Sequence, residues 1–278
     1  MSSIDAPTLQ HNTESYILGR TTDEYERLRQ QSRVLEPITR TVLERAGLTR
    51  GMSCLDVGCG PGEVMRLMAE YAGPEGRVTG VDVDGNIGRE ALARLHAAGL
   101  QQCTFLESDL QSLEQRTSEK FDFVFSRLLL MHAGDPAKAL AAMRGRLKSG
   151  GVIVAQDYYC GSINAYPPHA GVDELKRTFY GVCEKTGKDP EIGLAIPEHF
   201  VRSGIGVPDG TDVSGILRTA AESAQMLMAV YRAVLPRALE SGVTTEQRTA
   251  WFFNEMKKVE SEGGYVLWPL LVSAWKKL

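Results

Sequence analysis

A glycine-rich turn between a buried strand and a helix constrains this chain more than any other feature of its sequence. In the segment LDVGCGPGEV, Asp56 ends a short apolar run, and Gly58, Gly60 and Gly62 form a turn that leads directly into an apolar helix. Glycine tolerates the backbone angles of such a turn and lets the main chain approach a ligand closely. The first amides of the following helix lack intrahelical partners and suit a carboxylate or a phosphate. The segment therefore predicts a ligand-binding loop.

The residue before this turn distinguishes between two kinds of nucleotide-binding loop. Proteins that bind NAD carry the pattern GxGxxG, whereas here the third glycine comes one residue early and Asp56 precedes the turn. A carboxylate at that place would repel a pyrophosphate. It would attract a cation, and the ammonium group of a bound amino acid is the obvious one.

Two further acidic residues follow the next two apolar runs. Asp82 ends the run VTGVD, where its two oxygens can accept both hydroxyls of a ribose. Asp109 and Leu110 follow the third run, where the carboxylate can accept from an adenine amine and the Leu110 amide can reach a ring nitrogen. An aspartate at a strand end is also a common helix cap or turn residue, and that reading stays open for Asp109.

Five apolar runs alternate with helical segments and predict a parallel sheet with helices on both faces and its ligand crevice at the carboxyl ends of the strands. The runs are 53–58, 77–83, 103–109, 121–127 and 151–159, and the helical segments between them are 63–73, 87–99 and 135–151.

The segments that flank this core have weaker patterns. Before it, 22–47 predicts one or two amphipathic helices, kinked or separated at Pro37. After it, we expect a short helix over 197–205, a strand over 211–218 and two helices within 219–262. The closing segment GYVLWPLLVSAW predicts a last strand, in which Pro269 suits an edge or a bulge.

Composition excludes several classes of protein. The 278 residues carry a net charge of −4 without a basic block, which argues against nucleic-acid binding. The five cysteines show neither a CxxC pair nor the Cys/His spacing of a zinc site, so we expect reduced thiols and no metal. No stretch reaches the roughly 18 uncharged residues of a membrane span. We therefore expect a cytoplasmic protein that is not inserted in a membrane, and a homo-oligomer is compatible with the sequence.

The motifs LDVGCGPG, GVDVD, ESDL, FDFVFSRLLLMH and LKSGG occur in the order and near-standard spacing of a known family. With them the chain resembles class I (Rossmann-like) S-adenosylmethionine-dependent methyltransferases, specifically bacterial small-molecule enzymes of the ubiquinone/menaquinone C-methyltransferase type. The resemblance covers roughly residues 30–160. It implies an α/β fold with a doubly wound, mostly parallel seven-stranded sheet whose last strand is antiparallel, an N-terminal helical segment and a helical cap.

The same resemblance implies which residues bind S-adenosyl-L-methionine. Asp56 and Gly58 would lie near the methionine moiety, Gly60 and Gly62 would shape the loop, and Asp82 would bind the ribose. Backbone of Arg127 would contact the amino-acid end. The other implied contacts are Cys59 and Val83 in the first two turns, Asp109 and Leu110 at the adenine, and Tyr16, whose segment ESYILG is similar to a helix that closes over the cofactor in some such enzymes.

Methyl transfer from a sulfonium mainly requires that nucleophile, methyl carbon and sulfur be held in line in a dry site. If a base is used, His132 after the fourth run is the candidate. Asp157, Tyr158 and Tyr159 after the fifth run should face the crevice. The apolar residues of 219–275, among them Trp251, Phe252, Phe253, Trp268 and Trp275, predict a hydrophobic or aromatic acceptor from secondary metabolism.

The sequence thus predicts three parts: a helical segment over 1–47, the cofactor-binding core over 48–160, and cap helices with the final strands over 161–278. We expect methyl transfer to a small molecule, at a carbon, oxygen or nitrogen that the sequence does not identify. Two alternatives stay open at this point. One is a non-catalytic protein that binds S-adenosylmethionine, and the other is a nicotinamide-dependent oxidoreductase, against which the GxGxG spacing argues.

Overall fold

The computed structural model describes Leu18 and residues 22–278. Its main sheet has seven strands in the order β3-β2-β1-β4-β5-β10-β7. Strands β1 to β5 pair in parallel, and β10 is antiparallel to both of its neighbours, as predicted for the last strand. The strands are β1 (Ser53–Val57), β2 (Arg77–Asp82), β3 (Cys103–Glu107), β4 (Phe121–Arg127), β5 (Leu147–Tyr159), β7 (Gly210–Ser214) and β10 (Leu270–Lys277).

Nine α-helices cover this sheet and build a cap at one end of it among the described residues. They are α1 (Thr22–Arg45), α2 (Glu63–Ala72), α3 (Gly85–Ala97), α4 (Leu113–Arg116), α5 (Pro136–Arg144), α6 (Ala170–Thr186), α7 (Ile192–Arg202), α8 (Ala220–Glu240) and α9 (Glu246–Glu262). A single turn of 3-10 helix, Leu130–His132, follows β4.

The core lies on both faces of the sheet because strand side chains alternate between faces. In β4, Phe123 and Phe125 pack with α1 and α2 on one face, whereas Val124 packs on the other face with α5 and α7. All three side chains have no exposed surface. The doubly wound architecture predicted from the sequence is therefore confirmed.

Of the two outcomes expected at Pro37, a kink or a separation into two helices, the separation does not occur. One helix, α1, runs through it from Thr22 to Arg45. A proline in a helix costs one backbone hydrogen bond. Tertiary contacts compensate for this loss, since Thr39 donates to Gln156 in β5 and Arg66 in α2 pairs with Glu36.

The cap contains a second, three-stranded antiparallel sheet that the sequence did not predict. Its strands are β6 (Asn164–Tyr166), β9 (Tyr265–Leu267) and β8 (Leu217–Thr219), in that order. The expected strand over 211–218 is split between the two sheets, and so is the closing segment. Pro269 lies at the break between β9 and β10, where no strand hydrogen bond is needed.

The helix expected over 197–205 begins earlier and ends earlier, as α7. Within residues 22–278, no helix has the length and apolar character that crossing a membrane requires.

Candidate functional site

The glycine-rich turn connects β1 to α2 at the carboxyl edge of the sheet. Gly58, Gly60 and Gly62 all have positive φ angles, of 72°, 47° and 77°. A Cβ atom at Gly62 would lie 2.9 Å from the Cβ of Ala91, so this glycine is required by packing. A Cβ at Gly60 would meet no atom within 4 Å. The open space beside Gly60 is where a ligand can approach the main chain.

Asp82 connects this turn to the next one. Its Oδ2 accepts from the Gly60 amide and its Oδ1 from the Asp84 amide, both at 2.9 Å. A carboxylate oxygen can accept more than one hydrogen bond, and a hydroxyl group is a suitable donor. Asp82 is half-buried at the end of β2, and Val83 follows it. The carboxylate fixes the shape of the glycine turn, and its contact with a ribose stays a prediction.

Asp56 is a buried carboxylate that lacks a full set of partners. It is 2% exposed, and its Oδ2 has no hydrogen-bond partner among the described residues. Burial raises the pKa of Asp56 to about 7, although the charge of Arg127 opposes the shift. A buried carboxylate of this kind is stabilised by an arriving cation. The ammonium group of an amino-acid moiety fits that requirement.

Arg127 ends β4 and faces α1 across the crevice. Its guanidinium donates to the hydroxyls of Ser32 and Thr39, at 2.7 and 2.9 Å. Burial lowers the pKa of this guanidinium, and Asp56 opposes that shift. The side chain therefore has a role that the sequence did not indicate, because it joins α1 to the floor of the crevice.

The remaining predicted cofactor contacts are less directly supported. Asp109 accepts from the amide and hydroxyl of Ser112, at 2.7 and 2.9 Å, so in this state it behaves as the turn residue that we had kept as its alternative. Leu110 is half-buried beside the core. The Cys59 side chain is buried in the core and only its backbone borders the turn. Tyr16 lies outside the described residues.

Helix α1 covers the crevice and is held there by polar contacts. The hydroxyl of Tyr25 donates to Asp84, which also caps α3, and Arg29 pairs with Glu90 of α3 at 2.8 Å. On another face of α1, Leu28 and Gln31 line a separate cavity. The same helix thus borders both the crevice and the cavity.

This cavity lies between α1, α6 and α8 at the ends of β4 and β5. It contains about 870 Å³ of space, part of it open to solvent, and its lining is predominantly apolar. Leu128, the residue after Arg127, forms part of the wall. Leu128 has a φ of 55°, a conformation that is costly for a residue with a branched side chain. The cavity therefore begins next to Arg127, at the end of β4.

His132 also lines the cavity, as expected for a residue placed near the acceptor. Burial lowers its pKa to about 3, and the charges of Lys188 and Arg27 add to the shift. The Lys188 ammonium donates to the His132 carbonyl at 2.8 Å. The imidazole is consequently neutral at physiological pH.

Asp157, Tyr158 and Tyr159, which we expected to face the crevice, are the last three residues of β5, and only Tyr158 lines the cavity. Side chains alternate along a strand, so Asp157 and Tyr159 point away from it. Asp157 is fully buried and accepts from the amides of Leu130 and Met131, at 2.9 and 3.4 Å. It therefore holds the turn that carries His132.

Most of the aromatic residues that suggested a hydrophobic acceptor do not contact the cavity. Of Trp251, Phe252, Phe253, Trp268 and Trp275, only Trp268 belongs to its wall. Phe252 stacks on Tyr231 with ring centroids 3.8 Å apart, inside the cap. The lining is instead made by aliphatic residues and methionines together with Phe179, Tyr158 and Tyr180.

In the described part of the chain, no three histidine, cysteine or acidic side chains are grouped so as to hold a metal ion. The five cysteines are buried thiols without disulfides.

A family model described as a methyltransferase domain matches residues 48–201, which is more than half of the chain. Among curated relatives, the ubiquinone biosynthesis O-methyltransferase of Serratia proteamaculans is 36% identical over 117 residues, which are 40% of this chain and 45% of that protein. The demethylmenaquinone methyltransferase of Staphylococcus aureus is 30% identical over 116 residues, 41% of this chain and 46% of that protein. The matches span about half the length of these relatives.

One solved structure with the same fold is phosphoethanolamine N-methyltransferase 2 of Haemonchus contortus, in complex with phosphomonomethylethanolamine and S-adenosylhomocysteine. It aligns with a TM-score of 0.51 at 19% identity, covering 86% of this chain and 52% of that one.

Proposed function

Since the chain belongs to the class I S-adenosylmethionine-dependent methyltransferases, we propose that it methylates a small, hydrophobic acceptor bound in the cavity between α1, α6 and α8. The observation that carries this proposal is the position of the cavity. Its predominantly apolar wall begins at Leu128, one residue beyond the end of β4, where the charge of Arg127 acts on the buried Asp56.

The residues of the crevice fit the cofactor in two ways that do not depend on family likeness. The Oδ2 atom of Asp56 is a buried acceptor with no partner in the described chain, and the space beside Gly60 is open. We propose that Asp56 binds the ammonium group, that Asp82 binds the ribose hydroxyls, and that Asp109 and Leu110 bind the adenine. The backbone of Gly58, Cys59, Gly62, Val83 and Arg127 completes the site.

When bound, S-adenosylmethionine supplies a methyl carbon that its sulfonium charge already activates. The protein then has to align the acceptor with this carbon and exclude water, which is the main contribution of such a site. Leu128 and Met131 form the apolar wall nearest the end of β4. Helix α1 closes the crevice above them.

We propose that His132 contacts the acceptor and that its neutral imidazole, which has one donor and one acceptor nitrogen, forms a hydrogen bond with it. A base works best when its pKa is close to the working pH. With a pKa of about 3, His132 would retain a proton poorly. Its contribution would therefore be mainly to orient the methyl acceptor. His132→Asn keeps a side chain that can form hydrogen bonds, so it should retain more activity than His132→Ala.

The test is a turnover screen that measures S-adenosylhomocysteine by mass spectrometry. Hydrophobic phenols, quinols and indoles are compared with small charged amines. Val230→Trp fills the cavity from α8, and Leu239→Trp adds the same bulk on an exposed part of the same helix as a control. We expect turnover of hydrophobic acceptors, its loss in Val230→Trp alone, and unchanged S-adenosylhomocysteine binding in both variants. Turnover confined to small charged amines would contradict the proposal.

A further inference from the structure

Among the described residues, the polar side chains that line the cavity are basic or neutral. The lining residues with polar tips are Arg27, Gln31, His132, Tyr158, Lys176 and Tyr180. Among the described residues that line the cavity, none is an aspartate or a glutamate. A protonated amine in an apolar site is stabilised most strongly by a carboxylate. These lining residues offer none and include the ammonium group of Lys176, so they do not favour a cationic acceptor.

A chain of hydrogen bonds leads from α1 to the cavity wall and fixes the direction of its last member. Arg27 Nη1 donates to Gln31 Oε1 at 3.3 Å, and Gln31 Nε2 donates to the Tyr158 hydroxyl at 3.1 Å. Because Arg27 can only donate, Gln31 must present its oxygen to Arg27 and its nitrogen to Tyr158.

The Tyr158 hydroxyl therefore accepts within the protein and has its own proton left to donate. No acceptor for that proton exists among the described residues. Burial raises the pKa of Tyr158, so the phenol stays protonated. Tyr158 is only 8% exposed, and the side of it that is not packed faces the cavity.

The nearby charges favour an electron-rich partner for this donor. Arg27 is neutralised by Glu24, with contacts of 2.6 and 2.7 Å. Lys176 and Lys188 instead donate to backbone carbonyls, of Gly161 and His132. Within the described part of the chain, neither ammonium group forms an ion pair with a carboxylate. The polar end of the cavity thus combines hydrogen-bond donors with the ammonium group of Lys176, and that of Lys188 lies behind His132.

We propose that Tyr158 donates a hydrogen bond to an oxygen of the acceptor, and that the acceptor is an apolar phenol or enol which this end of the cavity binds in its ionised form. The inference rests on the proposed function and names its substrate class. It also explains how a nucleophile can form beside His132: the proton leaves for solvent before methyl transfer, since the site stabilises the oxyanion rather than storing the proton.

The experiment uses 4-nitro-1-naphthol as a probe, because its absorbance reports the ionised fraction directly. The probe is titrated with pH in the presence of the full-length protein saturated with S-adenosylhomocysteine. We expect the pKa of the bound probe to lie about one unit or more below its value in buffer, a tenfold or larger change in ionisation constant. A merely structural role of Tyr158 would not move this spectroscopic value.

Two variants assign the shift to the hydrogen-bond chain. Tyr158→Phe should remove most of the shift in the pKa of the bound probe. Tyr180→Phe should leave the shift in place, because the Tyr180 hydroxyl already donates to Glu191 at 2.9 Å. If Tyr158→Phe does not fold, Gln31→Glu gives an independent test. A carboxylate at position 31 would accept the hydrogen bond that Tyr158 otherwise donates to the probe, and the pKa of the probe should rise.

The outcomes separate this inference from the proposed function. In one outcome the probe binds to the wild-type protein with an unshifted pKa, and Val230→Trp abolishes this binding. That result overturns the inference and leaves the proposed function intact. Tighter binding of 1-naphthylmethylamine than of 1-naphthol also overturns the inference. Failure of every apolar probe to bind, together with no turnover of hydrophobic acceptors, overturns both.

Discussion

The Oδ2 atom of Asp157 in β5 accepts a hydrogen bond from the backbone amide of Leu130 at 2.9 Å. The same atom accepts from Met131, and Oδ1 accepts from the amide of Tyr158. One fully buried carboxylate thus joins the turn that carries His132 to the strand that carries Tyr158. Both polar side chains that we place near the acceptor depend on it for their position.

Replacing Asp157 by Asn should therefore disturb acceptor turnover more than cofactor binding. The side-chain NH2 group of asparagine would face at least one of these backbone N–H groups, so two donors would meet without an acceptor. Such a buried mismatch costs about 1–3 kcal/mol. We expect a lower urea midpoint and a loss of turnover, with the dissociation constant of S-adenosylhomocysteine changed only a few-fold.

Asp135→Asn is the matched control, because Asp135 accepts from the amides of Ala137 and Lys138 at the exposed start of α5. Asparagine caps a helix about as well as aspartate. Equal losses of stability and turnover in the two variants would contradict the positioning role of Asp157.

Gly60→Ala should remove cofactor binding while the protein stays folded. A Cβ at this position meets no protein atom, so its main effect on stability is the strain of a positive φ, about 1 kcal/mol. The same Cβ would occupy the space that we assign to the cofactor. Calorimetry with S-adenosylhomocysteine and a thermal melt measure the two effects separately.

Gly99 provides the control for this variant, since it also has a positive φ, of 86°, and open space around it, but follows α3. Gly99→Ala should lose a similar amount of stability and keep cofactor binding. If Gly60→Ala binds like wild type, the cofactor does not approach the turn at Gly60.

Cofactor affinity should depend on pH through Asp56. Its pKa is raised to about 7, so below pH 7 the carboxyl is increasingly protonated and must lose a proton before it can bind an ammonium group. Affinity for S-adenosylhomocysteine should therefore fall as pH falls below 7, by up to about tenfold per unit, and level off above 8. Calorimetry between pH 5.5 and about 8.5 measures this dependence, whose range follows from that pKa.

Asp56→Asn should bind weakly at every pH and show no such slope, because it has no proton to lose. A slope that persists in Asp56→Asn would assign the titration to another group.

The Leu128→Gly variant should have a larger free energy of unfolding than the Leu128→Ala variant. Its φ of 55° disfavours any residue with a Cβ by about 1–2 kcal/mol. Both variants remove the same contacts with Tyr158 and Leu35, so their difference isolates the backbone. Leu128→Gly should exceed Leu128→Ala by about 1 kcal/mol in urea unfolding, the reverse of the order seen in an ordinary helix. Alanine as the more stable variant would show that the backbone relaxes without strain.

The sequence predicted the parts of the molecule that depend on local signals. The glycine turn, the acidic residues near the ends of β1 and β2 and the alternation of strands and helices are local signals, and they predicted the five parallel strands. The seven-stranded sheet with an antiparallel last strand was implied by the family resemblance. The strands β6, β8 and β9 have three residues each, too few for a periodic pattern to appear. The sequence left open whether Pro37 separates two helices, because contacts with distant elements offset the cost of a proline inside a helix.

The cavity could not be predicted from the sequence, because residues that are far apart along the chain form it. Gln31 and Tyr158 are 127 residues apart, and nothing in either segment indicates that they meet. The two-residue period of β5 could have separated Tyr158 from Asp157 and Tyr159. The aromatic residues of α9 were assigned to the acceptor because an apolar helix face looks the same whether it lines a cavity or fills a core.

The most direct test of the account is calorimetric titration of the protein with S-adenosylhomocysteine, repeated with Asp82→Ala. Glu184→Ala on the exposed face of α6 serves as the control. The Asp82 carboxylate holds the Gly60 turn and faces the predicted ribose position, so its loss should weaken binding at least about tenfold, or 1.4 kcal/mol. Binding by wild type and Glu184→Ala that is lost in Asp82→Ala is the result we predict. Absence of binding by folded wild-type protein, or equal binding by all three proteins, would contradict the assignment of the cofactor to this crevice.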